Sequence, residues 1–311
     1  MDTILYPIQW VVAWIMYGSH QLFTALGFQN GPGFAWVLSI VALVIVMRIV
    51  LIPLFFKQIK ASRGMQMMQP ELQAIQKKYK GKTDPSSREA LGRETMELYR
   101  KHGTNPMASC LPILLQSPIF FALFRLLYNL GNIAEGTKPA IGPIDQGVAA
   151  DIENSDLFGA QLSDVFMQTD DWSVRLVILA LIIAMSATTF FTQRQLTMKN
   201  MPKAALEGPM ANMQKMMLYV LPLIFLISGV NFPVGVLIYW TTTNLWSMGQ
   251  QFYTIKRMPA PGSEAERLLQ ERKAAKAAKK GLVIEEEKAP EAPQPRGQRQ
   301  QPVRKNRKKK K

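Results

Sequence analysis

The chain has 311 residues, with 37 lysines and arginines against 22 acidic residues for a net charge of +15, and only one cysteine and two histidines. That inventory excludes a disulfide framework or a thiolate metal cluster, and His20 and His102 alone are too few for a zinc site or a serine–histidine dyad. A mean hydropathy near zero conceals long apolar runs set against strongly charged ones, a segregation that fits membrane spans joined by aqueous loops better than one soluble core.

Residues 1–33 carry no lysine or arginine. Ile4, Ile8, Val11, Ile15 and Leu22 roughly follow helical spacing, while Gln9, His20, Gln21 and Thr24 interrupt a full span. A secretory signal would need a basic start, which is absent, and there is no cysteine here for lipid attachment. The pattern predicts an amphipathic helix lying in the outer membrane interface, anchored by Trp10 and Trp14; the alternative is a sixth span.

A run of about 20 apolar residues crosses a bilayer core, and five segments qualify: about 34–56, 107–130, 172–193, 213–230 and 234–251. The last two form a tight hairpin turned by Asn231-Phe232-Pro233. Between the first and second spans, residues 57–105 read as a helical hairpin. Met65, Met68, Leu72, Ile75 and Tyr79 recur at three- and four-residue spacing. Pro70 is expected to interrupt that helix, Lys80 to Pro85 to end it, and Ser86-Ser87-Arg88-Glu89 to open the next with a capping box. Residues 257–311 form a basic tail. A short helix is expected over Ser263 to Lys280, and the Pro-, Gln- and Arg-rich remainder has too few apolar residues to order itself.

Basic residues concentrate on the cytoplasmic side of a membrane protein. Segment 57–105 holds eleven, the loop 131–171 only Lys138 against eight acids, and the chain beyond Gln251 holds eighteen. The sides therefore alternate over five crossings, with the N-terminus outside and the tail in the cytoplasm. The predicted fold class is an all-α integral membrane protein: five transmembrane helices, N-out and C-in, with a cytoplasmic helical hairpin and an N-terminal interfacial helix.

Arg48 is the sharpest single feature. It lies about two-thirds along an outside-to-inside span, and no acidic residue stands in any span to pair with it. An arginine in lipid is costly, so it should face a watery cavity or the protein interior. The competing reading is an arginine that snorkels to the cytoplasmic headgroups, a reach of about 12 Å at helical rise. Gln116, Ser117, Ser186, Thr188, Thr189, Thr192, Gln193 and Thr241 to Asn244 stand at matching depth in other spans and either line the same pocket or bond helix carbonyls. Met65, Met68 and Leu72 of the hairpin are either a docking surface for clients, which adaptable methionines suit, or part of a solvated connector. No phosphate loop, paired span carboxylates or nucleophile with a base is visible, so no catalytic residue, metal or cofactor is expected.

Several motifs, in order, resemble the YidC family of membrane protein insertases. They are Arg48-x-x-x-x-Pro53, Met68-Gln69-Pro70-Glu71-Leu72, Tyr99-Arg100-Lys101-x-x-x-Asn105-Pro106, Cys110-Leu111-Pro112 with Gln116-x-Pro118, and Phe232-Pro233-x-Gly235-x-x-x-Tyr239-Trp240 with Asn244. The resemblance covers about residues 34–256. It implies a hydrophilic groove, open to cytoplasm and lipid, in which Arg48, Gln116, Gln193 and Trp240 receive a client's polar segment; Thr241 and Asn244 are added to that groove by their depth, and the lack of a phosphate loop points to action without nucleotide hydrolysis. Val44 stands where many members have threonine, and the large outer domain of some members has no counterpart. The resemblance implies nascent membrane proteins as clients at the bacterial inner membrane, acting alone or beside the Sec translocon, and the ribosome as a partner of the basic tail. The tail's charge also suits anionic lipids, the alternative being a topology and solubility tail with no specific partner. A polytopic transporter or channel, and a membrane-tethered ribosome- or RNA-binding protein, are the alternatives.

Overall fold

A computed structural model describes residues 2–103, 111–200, 209–260 and 262–278. The side chains of 2–3, 60–63, 65–67, 111–113, 115, 196–200, 209–214 and 277–278 lie outside that description, as do residues 279–311 of the tail; the expectations for Met65, for Asn105 to Cys110 and for most of the tail fall there. Two units separate by packing, residues 1–269 and 270–311.

The elements in order are α1 (Asp2–Ala25), α2 (Phe34–Val50), α3 (Ile52–Lys78), α4 (Pro85–Lys101), α5 (Leu111–Tyr128), α6 (Leu130–Ala134), α7 (Gln146–Glu153), β1 (Asp156–Leu157), β2 (Ala160–Gln161), α8 (Trp172–Asn200), α9 (Pro209–Ser228), a 3-10 turn (Gly229–Asn231), α10 (Val234–Arg257) and α11 (Glu264–Ala278). In the bundle α10 packs on α8, α2 and α5, α9 packs on α8, and α1 packs on α2 and α5. Among the described residues, Trp172–Gln195 is long and apolar enough to cross a membrane by itself.

The expected span 34–56 is not one rod. It breaks at Leu51, where Phe34–Val50 and Ile52–Ile59 meet at 55°. Pro53 is the cause: it lacks an N–H, and its ring crowds the carbonyl four residues back, at Ile49. Beyond the bend, α3 runs unbroken to Lys78, so the end of the expected span and the first hairpin helix are one element. Pro70 does not interrupt it. Met68 and Leu72, on either side of that proline, are buried against Leu98 of α4, with Ile75 and Tyr99 alongside. This tertiary packing holds the helix through the proline.

The helix α4 is capped two residues before the expected capping box. Asp84 is its N-cap, and its carboxylate accepts from the Ser87 amide at 2.8 Å and the Ser86 hydroxyl at 2.6 Å. The hydrogen bonds from Ser86 and then Ser87 hold the Asp84 carboxyl down at about 2. Across the hairpin, Glu94 accepts from Lys78 Nζ at 2.5 Å and from the Tyr79 hydroxyl at 2.7 Å.

The first helix is not laid across the end of α2. His20 stacks on Trp36 at 4.0 Å between centroids, while Ile8 and Val11 share a cleft with Met47. Those pairings run in opposite directions along the two chains, so α1 lies antiparallel beside α2. Trp10 and Trp14 abut Gly142, whose φ of 57° and lack of a side chain let the 131–171 loop close on them.

That loop, expected only as a connection, is a folded cap. Ile133, Ile141, Ile144, Ala149, Ile152, Ala160 and Leu162 are buried in the main core. It is tied to the bundle by backbone: Gly235 N donates to Leu162 O and Val234 N to Asp164 O, both at 2.9 Å. Gly235 suits that close approach: a Cβ there would stand 2.8 Å from Leu127 Cδ1 and 3.2 Å from Ile40 Cδ1, so both side chains would have to shift. Tight packing lies toward this cap. In α10, Val234 to Tyr239 are all buried, whereas Trp240 to Gln251 are mostly half-buried; in α2 the buried residues end at Val44.

Candidate functional site

The bend at Leu51 opens a small cavity at the loosely packed, hairpin end of the bundle. It is lined by Arg48, Leu51, Leu54, Phe55, Gln58, Gln116 and Gln250 and encloses about 50 Å³. A water needs at least about 10–15 Å³ of such space, so the cavity takes a few waters or a small polar group. Arg48 reaches it from the last turn of α2, Gln58 from the start of α3, Gln116 from α5 and Gln250 from α10. Three amides and one guanidinium thus converge from four helices. Among the described residues no carboxylate pairs with Arg48.

Behind the cavity, Tyr239 of α10 is buried and close enough to Arg48 to interact with it electrostatically. Its hydroxyl accepts from Gln116 Nε2. The pair links α5 to α10 directly beneath the arginine and fixes the orientation of the Gln116 amide.

The remaining expected groove residues divide into two groups. Trp240 does not line the cavity; it sits in an aromatic cluster with Phe120 at 4.8 Å, Phe225 at 4.5 Å and Phe232 at 6.2 Å. Tyr239 and Trp240 are adjacent on a helix and so point about 100° apart, which sends one toward Arg48 and the other toward α5 and α9. Asn244 is engaged with α8: its amide donates to Thr189 Oγ1 at 2.7 Å, and to Thr188 Oγ1 and Met185 O at 3.2 Å each. Gln193 is half-buried on α8, outside the cavity lining. The Thr241 hydroxyl, with those of Ser186 and Thr192, is buried without a hydrogen-bond partner among the described residues. Both α8 and α10 therefore carry buried hydroxyls that no described protein group satisfies.

Of the hairpin residues, Met68 and Leu72 form the interior of the α3–α4 pair, with relative exposures of 1% and 6%. As folded, they hold the hairpin closed rather than face outward. Sequence reasoning missed Gln58, Gln250 and Tyr239. Gln250 lies eleven residues after Tyr239, three helical turns on, and so continues its face of α10; that repeat was the available signal. Gln58 lay beyond the expected end of the first span, and nothing in its spacing pointed inward. Among the described residues no group of acidic, histidine or cysteine side chains is arranged to hold a metal.

Comparison with known proteins places these features in context. A sequence model of the 60Kd inner membrane protein family matches residues 27–261. A Bifidobacterium longum protein described as membrane protein insertase YidC is 39% identical over 98% of this chain and 95% of its own length. A Tropheryma whipplei protein of the same description is 41% identical over 99% and 96%. A Streptomyces avermitilis protein, again so described, is 44% identical over 88% of this chain, which spans 64% of that relative's length. A crystal structure described as active YidC insertase with the first transmembrane domain resolved aligns with a TM-score of 0.43 at 23% identity, over 81% of this chain and 46% of that one.

Proposed function

The chain belongs to the YidC family of bacterial inner-membrane proteins, and from that premise we propose that it is a membrane protein insertase and chaperone working without nucleotide hydrolysis. The observation that carries this reading is the cavity at the helix bend, where a guanidinium that meets no carboxylate among the described residues faces three amides. Such a site is cationic and rich in hydrogen-bond groups, yet small. It suits transient receipt of a polar or acidic stretch of a client, whose apolar segment then passes into lipid. A polar segment lodged at the depth of Arg48 has less apolar distance left to cross, which lowers the barrier to translocation.

In this reading α2, α5, α8, α9 and α10 are five crossings with the tail in the cytoplasm, following the charge of the loops, and α1, antiparallel beside α2, brings the N-terminus toward the cytoplasmic end as the sixth-span alternative requires. The helix α1, packed beside α2, belongs to the membrane-embedded body. Tight packing toward the 131–171 cap and looser packing toward the hairpin support a groove closed outside and open to the cytoplasm. The unsatisfied buried hydroxyls on α8 and α10 support hydration extending from the cavity toward Gln193 and Thr241. Clients would meet the hairpin at Met65, Met68 and Leu72 only after it opens, since Met68 and Leu72 are buried as folded. The basic tail supplies charge for ribosomal RNA or anionic lipid, and the Sec translocon is a further partner on this reading.

Proteoliposomes test the proposal. Purified protein should insert a small single-span client without nucleotide; Arg48→Lys should retain most of that activity and Arg48→Ala lose most of it. Ion conductance without insertion would instead favour a channel.

A further inference from the structure

The short ribbon β1–β2 ends in a two-residue turn, Phe158-Gly159, with φ of 55° and 85°. Paired positive φ values define the hairpin turn that favours Asn-Gly; a bulky aromatic in the left-handed region is sterically opposed. Asp156 Oδ1 accepts from Gly159 N at 2.8 Å and closes the turn. The Phe158 side chain gains nothing from the rest of the chain to offset its backbone, because the residue is 86% exposed.

The base of the ribbon is firmly placed. Gly33 N, at the start of α2, donates to Ser155 Oγ at 2.8 Å. Leu162, just past β2, is buried and holds the Gly235 amide at the start of α10. The strand β2 packs against α8, whose first residue, Trp172, is 67% exposed. The ribbon is thus fixed at the level where the apolar stretches of three helices end, with exposed Met167 and Trp172 on the same connection. Trp and Tyr concentrate at that level of a membrane protein, and Phe, Trp and Leu are the side chains that interfacial elements bury at the headgroup–acyl boundary.

We infer that the Phe158-Gly159 turn is an interfacial anchor, its ring seated among the headgroups and uppermost acyl carbons of the outer leaflet. The inference rests on the membrane orientation proposed above. Lipid is the occupant, rather than a protein partner, because the turn is set at the height of the helix ends. The Asp156 carboxylate two residues away keeps the insertion shallow. The lipid contact supplies the burial that the strained Phe158 lacks within the chain.

Nitroxide labels test this on a Cys110→Ser background. A label at Phe158→Cys, in vesicles of phosphatidylethanolamine and phosphatidylglycerol, should collide more often with oxygen than with a water-soluble nickel chelate. A label at Ala140→Cys, exposed in the same loop, should show the reverse. Nickel collisions dominating at 158, or shielding from both reagents as a protein contact would give, overturns the anchor. In intact cells the Ala140→Cys thiol should react with an impermeant maleimide; failure there refutes the orientation, separately from the depth result.

Discussion

The Asn244 contacts decide between two roles for a polar residue in the middle of a membrane helix. Its amide makes one short bond, 2.7 Å to Thr189, and two at 3.2 Å, to Thr188 and Met185 O. Removing the amide strands no donor on α8, because the Thr189 hydroxyl already donates to Met185 O at 2.8 Å and the Thr188 hydroxyl to Ala184 O at 2.7 Å. The penalty for an orphaned buried group therefore does not arise, and the loss is that of an interhelical hydrogen bond in a membrane, about 0.6 kcal/mol on average and about 1.7 kcal/mol at most. Asn244→Leu, Thr189→Val and the double variant form a cycle whose coupling should fall within that range, about 3- to 20-fold in the unfolding constant. Equilibrium unfolding in mixed lipid–detergent bicelles reads it. Negligible coupling would show that Asn244 is not a clamp between α8 and α10. Unchanged stability with insertion abolished would return it to direct client contact.

Four further outcomes follow from the same geometry. Gly235→Ala should destabilise the cap end of the bundle by about 1–3 kcal/mol through overpacking against Leu127 and Ile40, while Gly249→Ala, inside α10 with open space around it, should be neutral to stabilising, by up to about 1 kcal/mol, in the same unfolding assay. Met68→Ala and Leu98→Ala should speed amide exchange throughout α3 and α4 without altering protection in α10; unchanged hairpin exchange would mean the seam is not what closes it. The Asp84 cap has a folded value near 2 against an ordinary 3.8, so its contribution is fully present above the ordinary carboxylate range and is lost as pH falls through about 2. Amide exchange at Ser87, corrected for intrinsic pH dependence, should follow that course, and Asp84→Ala should remove it. Deleting residues 262–311 should weaken ribosome co-sedimentation in moderate salt while leaving bundle unfolding unchanged; intact co-sedimentation would remove the ribosome from the tail's partners.

Helices were legible wherever apolar periodicity ran long. The core of each expected span appears within a helix, and the polar break at Lys80 to Pro85 falls where α3 gives way to α4. Errors arose where one local rule met a stronger competitor. Pro53 bends its helix and Pro70 does not, because Met68 and Leu72 are buried on both sides of Pro70. Asp84 outcompetes Ser86 for the cap because it bonds both Ser86 and Ser87. The β1–β2 ribbon has two residues in each strand, too few for any alternation to register. Within the candidate site, Arg48 announced itself by charge in an apolar run and Gln116 by depth. Tyr239, Gln58 and Gln250 join them through a helix bend and a three-turn repeat that residue-by-residue inspection passes over. Burial of α1 along α2 was hidden because its packing face includes Gln9 and His20, whose polarity mimics exposure.

The continuity of α3 through the bend gives the hairpin a mechanical advantage over the cavity. With Leu51 as pivot, α3 is a lever arm of 27 residues, about 40 Å long at helical rise. Gln58 sits about 10 Å from the pivot on the same scale. Pushing the hairpin tip by about 7 Å turns the arm by about 10°, which moves Gln58 by somewhat under 2 Å. That reduction, roughly four to one, converts a coarse push at the far end into an adjustment smaller than one water molecule beside Arg48. A docking event at the tip would thereby meter the width of the polar chamber without touching it.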